Sequence, residues 1–290
     1  MLLQLIASSF SLGSFYALIA LGFSLIFGIT RAFNLAHGDL ILLSGYLAYA
    51  LYKGLGAPVL LTLPLCMLAL PIVTVVLHRF LRHVREPFEL NTLVVTFGLS
   101  MVLQNAMLLA FSANFRLLPK ADFAMVPPES TLVLNPGQIF LIALSLLATA
   151  ATHVLLHHTF LGKALRATIQ EREAARLAGI PVERMGVVAF ALGGTLIGLA
   201  GPLYGQSAYL QPFAGPEPTL TAIIITIFAG VGRTRGILLG GWILGFVESA
   251  AALVLGSSWR EMVAAVLLIA LLLLRPEGLL TLRPHRESKA

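Results

Sequence analysis

Long uncharged apolar runs constrain the fold of this chain more than any other feature. The first run extends from Leu2 to Ile29, and no charged residue occurs before Arg31. A helix needs about 20 mostly apolar residues to cross the hydrocarbon core of a bilayer. The run lacks a basic start and is too long for the apolar part of a signal peptide. We therefore predict a retained membrane-spanning helix.

Similar apolar runs recur along the whole chain. We interpret them as helices, because backbone groups exposed to lipid are satisfied only within helices or closed barrels. We predict an all-α, polytopic membrane protein in which residues 1–290 form one transmembrane domain. The short apolar stretch Thr219–Val231 is interpreted as a half-helix, a re-entrant segment or a tilted span. The eight predicted full spans are Leu2–Ile29, Phe33–Tyr52, Ala57–Leu81, Leu90–Phe111, Gly137–His157, Gly186–Tyr209, Ile237–Leu255 and Met262–Leu274.

Composition agrees with a lipid-embedded chain. Charged residues make up 11% of the sequence and hydrophobic residues 58%, whereas a soluble domain carries about 25% charged residues. This excludes an ordinary soluble enzyme, a disordered protein and a nucleic-acid-binding module. We expect membrane lipid to surround the chain, and we expect no nucleic-acid partner.

The basic residues predict the orientation. If the N-terminus lies outside and all nine apolar pieces cross, 15 of the 19 Lys and Arg residues fall on the inner side. The four on the outer side are Lys53, Arg116, Lys120 and Arg260. Basic residues concentrate in cytoplasmic loops, so a cytoplasmic C-terminus is predicted.

Residues 158–185 form the longest charged segment on the predicted inner side. The segment is rich in Ala, Leu, Glu and Arg, which favour helix, and Gly179 followed by Pro181 predicts where the helix ends. One interpretation is an amphipathic helix lying on lipid headgroups, and the other is a helix that docks a partner. The small side chains of Ala174 and Ala175 favour docking.

Several motifs in this order resemble one known family. The segment Glu173-Ala-Ala-(x3)-Gly179 is similar to the ATPase-docking loop of ABC importer permeases. The chain as a whole resembles the permeases of branched-chain amino acid importers, the LivH type. Two departures are Ala229, where the family usually has Gly, and the unusually basic Arg233-Thr-Arg235. The other matching stretches are Phe27–Asp39 with Gly45-Tyr46, Thr96–Ser100, Gly198–Tyr204, Ala229–Gly232 with Gly236 and Gly240-Gly241, and Arg275–Leu279.

The resemblance implies partners and cargo. It implies a second related permease subunit, two cytoplasmic ATPases that bind ATP and Mg, and a substrate-binding protein that meets outer loops at Ser112–Pro136 and Leu210–Pro218. The cargo would be branched-chain or related hydrophobic amino acids, carried across a bacterial inner membrane; relatives carry amides or urea. The implied docking residues are Gly162, Arg166, Arg172, Glu173, Ala174, Ala175 and Gly179.

Catalytic and cofactor-binding motifs are missing from the sequence. No Gly-x4-Gly-Lys-Ser/Thr phosphate loop occurs, so any ATPase must be a separate subunit. No His, Cys or acidic spacing typical of a metal site occurs either. We expect no enzyme activity, no metal and no cofactor in this chain.

Polar residues inside the apolar runs are candidates for the substrate pathway. A charge at the centre of a bilayer costs about 3 kcal/mol or more. Gly38 could permit a helix break whose exposed backbone binds a zwitterion; alternatively Asp39 caps the following helix while Asn34 and His37 bond free backbone groups. The alternative role is a hydrogen bond across helices, for Glu248 and also for Thr96, Gln104 and Asn105. The full candidate set is Asn34, His37, Gly38, Asp39, Thr96, Gln104, Asn105 and Glu248.

Glycines at four-residue spacing predict close helix packing. The residues are Gly194, Gly198, Gly201, Gly205, Gly236 and Gly240. Gly38–Tyr46 and Gly236–Trp242 look loosely alike, which suggests a weak internal two-fold repeat. The alternative function is a self-sufficient secondary transporter that depends on Asp39 or Glu248 for ion coupling. An intramembrane enzyme is disfavoured because no catalytic set of residues is present.

Overall fold

A computed structural model describes residues 2–119 and 135–274. Regular structure in these ranges is helical, apart from an isolated antiparallel bridge between Arg116 and Leu210. A single 3-10 turn, Ser257–Trp259, precedes the last helix. The α-helices are α1 (Leu2–Thr30), α2 (His37–Leu55), α3 (Val59–Leu81), α4 (Phe88–Phe111), α5 (Pro136–His158), α6 (Phe160–Gln170), α7 (Arg172–Leu177), α8 (Val182–Ser207), α9 (Pro216–Ala229), α10 (Thr234–Val254) and α11 (Arg260–Leu274).

The predicted class, a polytopic helical membrane protein, is confirmed. Within the described residues, six helices are long and apolar enough to cross a bilayer: α1, α3, α4, α5, α8 and α10. Helix α9 has only 14 residues, in agreement with the short apolar stretch seen in the sequence. Helix α2 has 19 residues and begins with a polar turn, and α11 has 15 described residues.

Helices α1 and α8 form the centre of the molecule. They run antiparallel and touch where Gly22 meets Gly193. Of the residues in the apolar 18-residue stretch of each helix, 89% are buried in α1 and 72% in α8. Helix α3 packs along α8, and α10 packs along α1. Helices α4 and α5 lie at the periphery and direct apolar side chains such as Phe97, Leu109 and Leu147 outward.

The packing relates two groups of helices by an inverted repeat. Helices α1–α4 correspond in order to α8–α11: α2 contacts α8 as α9 contacts α1, and α2 meets α9 between the two groups. Because α1 and α8 are antiparallel, the groups have opposite orientation, an arrangement found in many transporters. The suggested likeness of Gly38–Tyr46 to Gly236–Trp242 is wrong, since it pairs α2 with α10 rather than α9.

Helix α2 starts deep in the structure. The predicted span Phe33–Tyr52 becomes helical only at His37, and residues 31–36 fold back along α1, where Phe33 packs on Phe27 with ring centroids 4.8 Å apart. The His37 Nε2 atom lies 3.2 Å from the Ile19 carbonyl oxygen, near the middle of α1. The start of α2 is therefore a helix break inside the apolar core.

A second break lies between α8 and α9. Leu210 is fully buried, and Gly215 lies against Asp39 at the start of α2. Phe213, Pro216 and Glu217 of the predicted outer loop Leu210–Pro218 remain exposed, so its contact with a substrate-binding protein stays a prediction. After α8 ends, the chain returns inward and begins α9 beside α2.

The charged segment of residues 158–185 contains two helices rather than one. The backbone is extended at Glu171 (φ −149°, ψ 105°), which separates α6 from α7. The predicted end at Gly179 is confirmed, since this residue adopts a left-handed φ of +80°. Most of the predicted outer loop Ser112–Pro136 and the motif Arg275–Leu279 lie outside the described residues.

Candidate functional site

The first turns of α2 and α9 meet inside the protein. The Gly38 amide donates a 2.8 Å hydrogen bond to Thr219 Oγ1 on α9. A Cβ atom on Gly38 would collide with the Gly215 carbonyl oxygen, and one on Gly215 would collide with the Asp39 carboxylate. Only glycine therefore permits this approach on either side.

Helix α4 contributes a polar stripe to the same place. Gln104 Nε2 donates to Asp39 Oδ1 at 3.0 Å and also lies 3.0 Å from Ser100 Oγ. One turn further, Thr96 Oγ1 accepts a 3.2 Å hydrogen bond from the Leu35 amide. We call the assembled set the junction group: Asn34, His37, Gly38, Asp39, Thr96, Ser100, Gln104, Gly215 and Thr219.

Most of the junction group is buried, with Gln104 half-buried, and the group is not fully hydrogen-bonded. Asp39 and His37 are fully buried, and Asn34 is nearly so. Among the described residues, Asp39 Oδ2, His37 Nδ1 and Asn34 Nδ2 have no hydrogen-bond partner. Buried polar atoms usually have partners. Two helix starts and three unsatisfied polar atoms therefore form a set that could bind a small polar ligand when the helices separate.

The geometry bears on the two interpretations of the Asn34–Asp39 motif, which are substrate binding at a helix break and capping of α2. Asn34 Oδ1 accepts a 3.1 Å hydrogen bond from the Ala36 amide, which is a structural role. The N-cap residue of α2, Ala36, has no side-chain capping bond, and Thr219 rather than Asp39 bonds the Gly38 amide. The Oδ2 atom of Asp39 has no hydrogen-bond partner among the described residues and is free for a further contact.

Three members of the junction group were missed by sequence reasoning. Ser100 could have been found, because Thr92, Thr96, Ser100 and Gln104 recur every four residues and would share one helix face. Gly215 and Thr219 had no local signal, since they come from the other half of the inverted repeat.

Two predicted pathway residues lie elsewhere. Asn105 is exposed on the outer face of α4 and donates to the Met101 carbonyl oxygen of its own helix at 2.8 Å. Glu248 is buried between α10 and α1, where it accepts a 2.6 Å hydrogen bond from the Tyr16 hydroxyl.

A polar cavity lies close to Glu248. It has a volume of about 280 Å³ and opens among α1, α5, α8 and the start of α11. The next residue, Ser249, contributes to its wall. The other polar lining residues include Ser8, Ser11, Gln138, Gln206 and Arg260.

The predicted docking residues divide into exposed and buried sets. Arg172, Glu173, Ala174 and Gly179 are exposed, Ala175 is buried, and Arg166 is half-buried. Gly162 is packed against α5, where a Cβ atom would collide with the Leu155 carbonyl oxygen. These placements leave Gly162 and Ala175 as internal packing residues.

A large apolar side chain completes the exposed surface. Leu177, at the end of α7, is 89% exposed and was not among the predicted residues. Arg172 and Arg82 both pair with Glu183, at 3.4 and 3.1 Å. These exposed ion pairs tie α7 to the ends of α3 and α8.

Arg31 connects the charged segment to the first helix break. Its Nη2 donates to the Ile169 carbonyl oxygen at 3.1 Å, at the end of α6. Arg31 itself has a left-handed φ of 57° and precedes the fold-back that leads to His37. This hydrogen bond joins the end of α6 to the start of the fold-back.

The predicted packing glycines lie at close helix contacts. A Cβ atom on Gly194 would collide with Thr74, on Gly198 with the Cys66 carbonyl oxygen, and on Gly201 with Ser44. Gly205 packs on Leu118, Gly236 on the Ala229 carbonyl oxygen and Gly240 on Phe228. These contacts hold α8 against α2 and α3, and α10 against α9.

Comparison with known proteins identifies the family. The family model described as branched-chain amino acid transport system / permease component matches residues 5–272. The chain belongs to this family. It is 29% identical to the high-affinity branched-chain amino acid transport system permease protein BraD of Pseudomonas aeruginosa, over 99% of this chain and 97% of that protein.

Other permeases are also similar. The LivH permease of Escherichia coli is 27% identical over 99% of this chain and 97% of its own length. The ribose import permease RbsC of Escherichia coli is 35% identical over 42% of this chain and 41% of its own length. No solved structure matches.

The chain is thus a multi-pass membrane protein and a transport permease component. Both helix breaks, the junction group and the exposed α6–α7 surface fall within the matched range. Within the described part of the chain, no cluster of three or more His, Cys, Asp or Glu residues could hold a metal ion.

Proposed function

We propose that this chain is the membrane subunit of an ABC importer that forms half of a pathway for branched-chain or related hydrophobic amino acids. The observation that carries the proposal is the exposed α6–α7 surface joined through Arg31 to the first helix break. Family membership supports the transport role, and a self-sufficient secondary transporter would have no use for such a surface.

The partners follow from this role. Two cytoplasmic ATPases would supply ATP and Mg, and one would dock on the exposed residues Arg172, Glu173, Ala174 and Leu177. A second, related permease subunit would complete the pathway, and a substrate-binding protein would deliver cargo from outside. The chain would lie in a bacterial inner membrane with its N-terminus outside, as the basic residues predict.

The junction group is the proposed substrate gate. A carboxylate is favoured at helix N-termini, and Asp39 would pair with the ammonium group of an amino acid. Movement of α6–α7 when the ATPases close would pull on residues 31–36 through Arg31. The first turns of α2 and α9 would then separate, as in transporters built from broken helices.

Co-purification with the ATPases tests the docking surface. Leu177→Asp and Ala174→Arg place a charge on the proposed interface and should abolish ATPase co-purification. Leu55→Asp is the matched control, because Leu55 is 77% exposed at the predicted outer end of α2. The proposal fails if both interface variants retain the ATPases, or if uptake proceeds without any ATPase.

A further inference from the structure

The polar cavity close to Glu248 lies at one end of the helix bundle. Its lining residues come from the first half of α1, the start of α5, the ends of α8 and α10, and the start of α11. With the N-terminus outside, as proposed above, each of these helix ends lies on the outer side. We call this space the outer cavity. It faces the side from which a substrate-binding protein would deliver cargo.

The outer cavity carries a single charged side chain among the described residues that line it. Arg260 lines the cavity, and no Asp or Glu does so. The Nε of Arg260 is buried and has no hydrogen-bond partner among the described residues, whereas buried polar atoms usually have partners. A guanidinium can bind a carboxylate through two parallel hydrogen bonds. The charge of the outer cavity therefore suits a ligand that carries a carboxylate.

Apolar side chains form another part of the wall. Phe15, Leu141 and Leu203 line the same space and are themselves buried. A hydrocarbon group placed against them would be removed from water, which is favourable. Further hydrogen-bonding groups come from Ser8, Ser11, Gln138 and Ser249. The wall therefore suits a ligand that has both an ionic end and an apolar end.

The volume of the outer cavity restricts the ligand to a small molecule. It is about 280 Å³, whereas small-molecule sites in proteins usually occupy about 300–1,000 Å³. The outer cavity lies at the lower limit of this range. It therefore suits one amino acid rather than a peptide.

The outer cavity and the junction group lie along one face of α1. Ser8, Leu12 and Phe15 line the cavity, and Ile19 continues their spacing of three or four residues, which keeps side chains on one helix face. The Ile19 carbonyl oxygen lies 3.2 Å from His37 Nε2 of the junction group. Phe15 and Ile19 are four residues apart, which is about 6 Å along an α-helix. The outer cavity is thus a short step from the junction group.

Aromatic side chains lie at the inner end of the outer cavity. Phe15 is the deepest of the α1 residues that line it, and the Phe15 ring centroid lies 6.1 Å from that of Tyr204 and 6.4 Å from that of Tyr16. All three rings are buried. The Tyr16 hydroxyl also donates to Glu248, which holds this ring in place. A ligand in the outer cavity would therefore be stopped by the aromatic rings until they move.

We propose that the outer cavity binds the carboxylate of a free amino acid with an apolar side chain, before that molecule reaches the junction group. Arg260 pairs with the carboxylate, and the side chain lies against Phe15, Leu141 and Leu203. The assignment rests on the cargo and the orientation proposed above. An inorganic anion would pair with Arg260 but leave the apolar wall unused, so the amino acid accounts for both parts of the wall.

The two sites would recognise opposite ends of the same molecule. Arg260 in the outer cavity binds the carboxylate, whereas Asp39 in the junction group pairs with the ammonium group. A molecule without a carboxylate would therefore fail at the first site. Leucine, 4-methylpentanoate and leucinol separate these requirements, because the second lacks the ammonium group and the third lacks the carboxylate.

Ligand protection of a cysteine in the wall tests the proposal. Ser249→Cys places a thiol in the outer cavity, and the native Cys66 is buried. The full chain, purified in detergent with its co-purifying subunits, would be treated with a polar thiol reagent, and mass spectrometry would follow its labelling. Leucine or 4-methylpentanoate at ten times its dissociation constant should slow labelling about tenfold, and leucinol should not. Leu55→Cys is the control, because Leu55 is 77% exposed outside the cavity.

Removal of the charge tests the role of Arg260. Arg260→Gln, combined with Ser249→Cys, should raise the leucine concentration needed for half-protection about tenfold or more, because a charge-assisted hydrogen bond is lost. Lys53→Gln is the matched control, since it removes an exposed cation at the predicted outer end of α2, outside the cavity. If Arg260→Gln cannot be purified, the series of three ligands decides alone.

Four results would overturn the proposal. They are no protection by leucine, equal protection by leucinol, equal protection by inorganic phosphate, and an Arg260→Gln variant that is protected like Lys53→Gln. Protection needs neither ATP nor a substrate-binding protein, so ATP-dependent uptake is scored separately. ATP-dependent leucine uptake without protection would remove the outer cavity and keep the importer. Protection without ATP-dependent uptake would keep the outer cavity and remove the importer.

Discussion

Gln104 and Asn105 are neighbours in sequence with opposite surroundings. Gln104 bonds the buried carboxylate of Asp39, whereas Asn105 faces outward and bonds only its own helix. Both were predicted as pathway candidates, because each amide interrupts an apolar run. The recurrence of Thr92, Thr96, Ser100 and Gln104 every four residues would have favoured Gln104, since Asn105 lies off that helix face.

The contrast predicts different effects of the same substitution. Gln104→Leu should destabilise the protein by about 1–3 kcal/mol, because it leaves a buried carboxylate with fewer partners. Asn105→Leu should have little effect, since its amide is not buried. Thermal unfolding of the purified variants measures both. Equal effects would show that Asp39 does not depend on Gln104.

The charge of Asp39 gives a second test at this scale. Asp39→Asn keeps the size of the side chain and removes the carboxylate that we propose pairs with the substrate ammonium. A charge-assisted hydrogen bond contributes about 1.5–3 kcal/mol, so substrate uptake should fall about tenfold or more at normal expression. Unchanged uptake would remove a charged role for Asp39.

Helix positions were largely predictable, but helix starts and contacts were not. The apolar runs located each long helix, and the short α9 was expected from its length. A break near Gly38 was considered, but the fold-back of residues 31–36 was not predictable, because Asn34 alone interrupts the apolar residues Phe33, Leu35 and Ala36. The break at Glu171 was hidden too, since its neighbours all favour helix. Tertiary contacts, not local preference, decide both.

Close contact between α8 and α3 predicts the effect of adding a methyl group. Gly198→Ala should destabilise the protein by about 1–3 kcal/mol, because overpacking forces the helices apart. Gly98→Ala in α4 is the matched control, since nothing lies within 4 Å of its Cβ position. Unfolding in detergent measures the difference. A Gly198→Ala variant as stable as the control would mean that α8 and α3 have room to adjust.

Arg31 should act in coupling rather than in assembly. Arg31→Ala removes its 3.1 Å hydrogen bond to the end of α6, which contributes about 1.5 kcal/mol for a charged donor, so uptake should fall about tenfold. ATPase co-purification should persist because the α6–α7 surface is intact. Arg79→Ala serves as the control for loss of an exposed arginine. Full uptake by Arg31→Ala would show that motion reaches the junction group by another route.

At the scale of the whole molecule, the inverted repeat explains why two distant motifs form one site. The motif at Asn34–Asp39 lies in the first group of helices, and Gly215 and Thr219 lie in the second. The antiparallel packing of α1 and α8 brings them together. The weak internal likeness in sequence could not assign the pairing, because the two halves share helix order and geometry rather than residues.

ATP-dependent uptake in proteoliposomes tests the central claim that this chain works as one subunit of a powered importer. The chain would be reconstituted with its co-purifying subunits and the substrate-binding protein, and radiolabelled leucine uptake would be followed. The account predicts uptake that requires ATP, persists when ionophores collapse ion gradients, and is lost with Leu177→Asp but not with Leu55→Asp. Uptake by the chain alone, driven by a proton or sodium gradient, would contradict it.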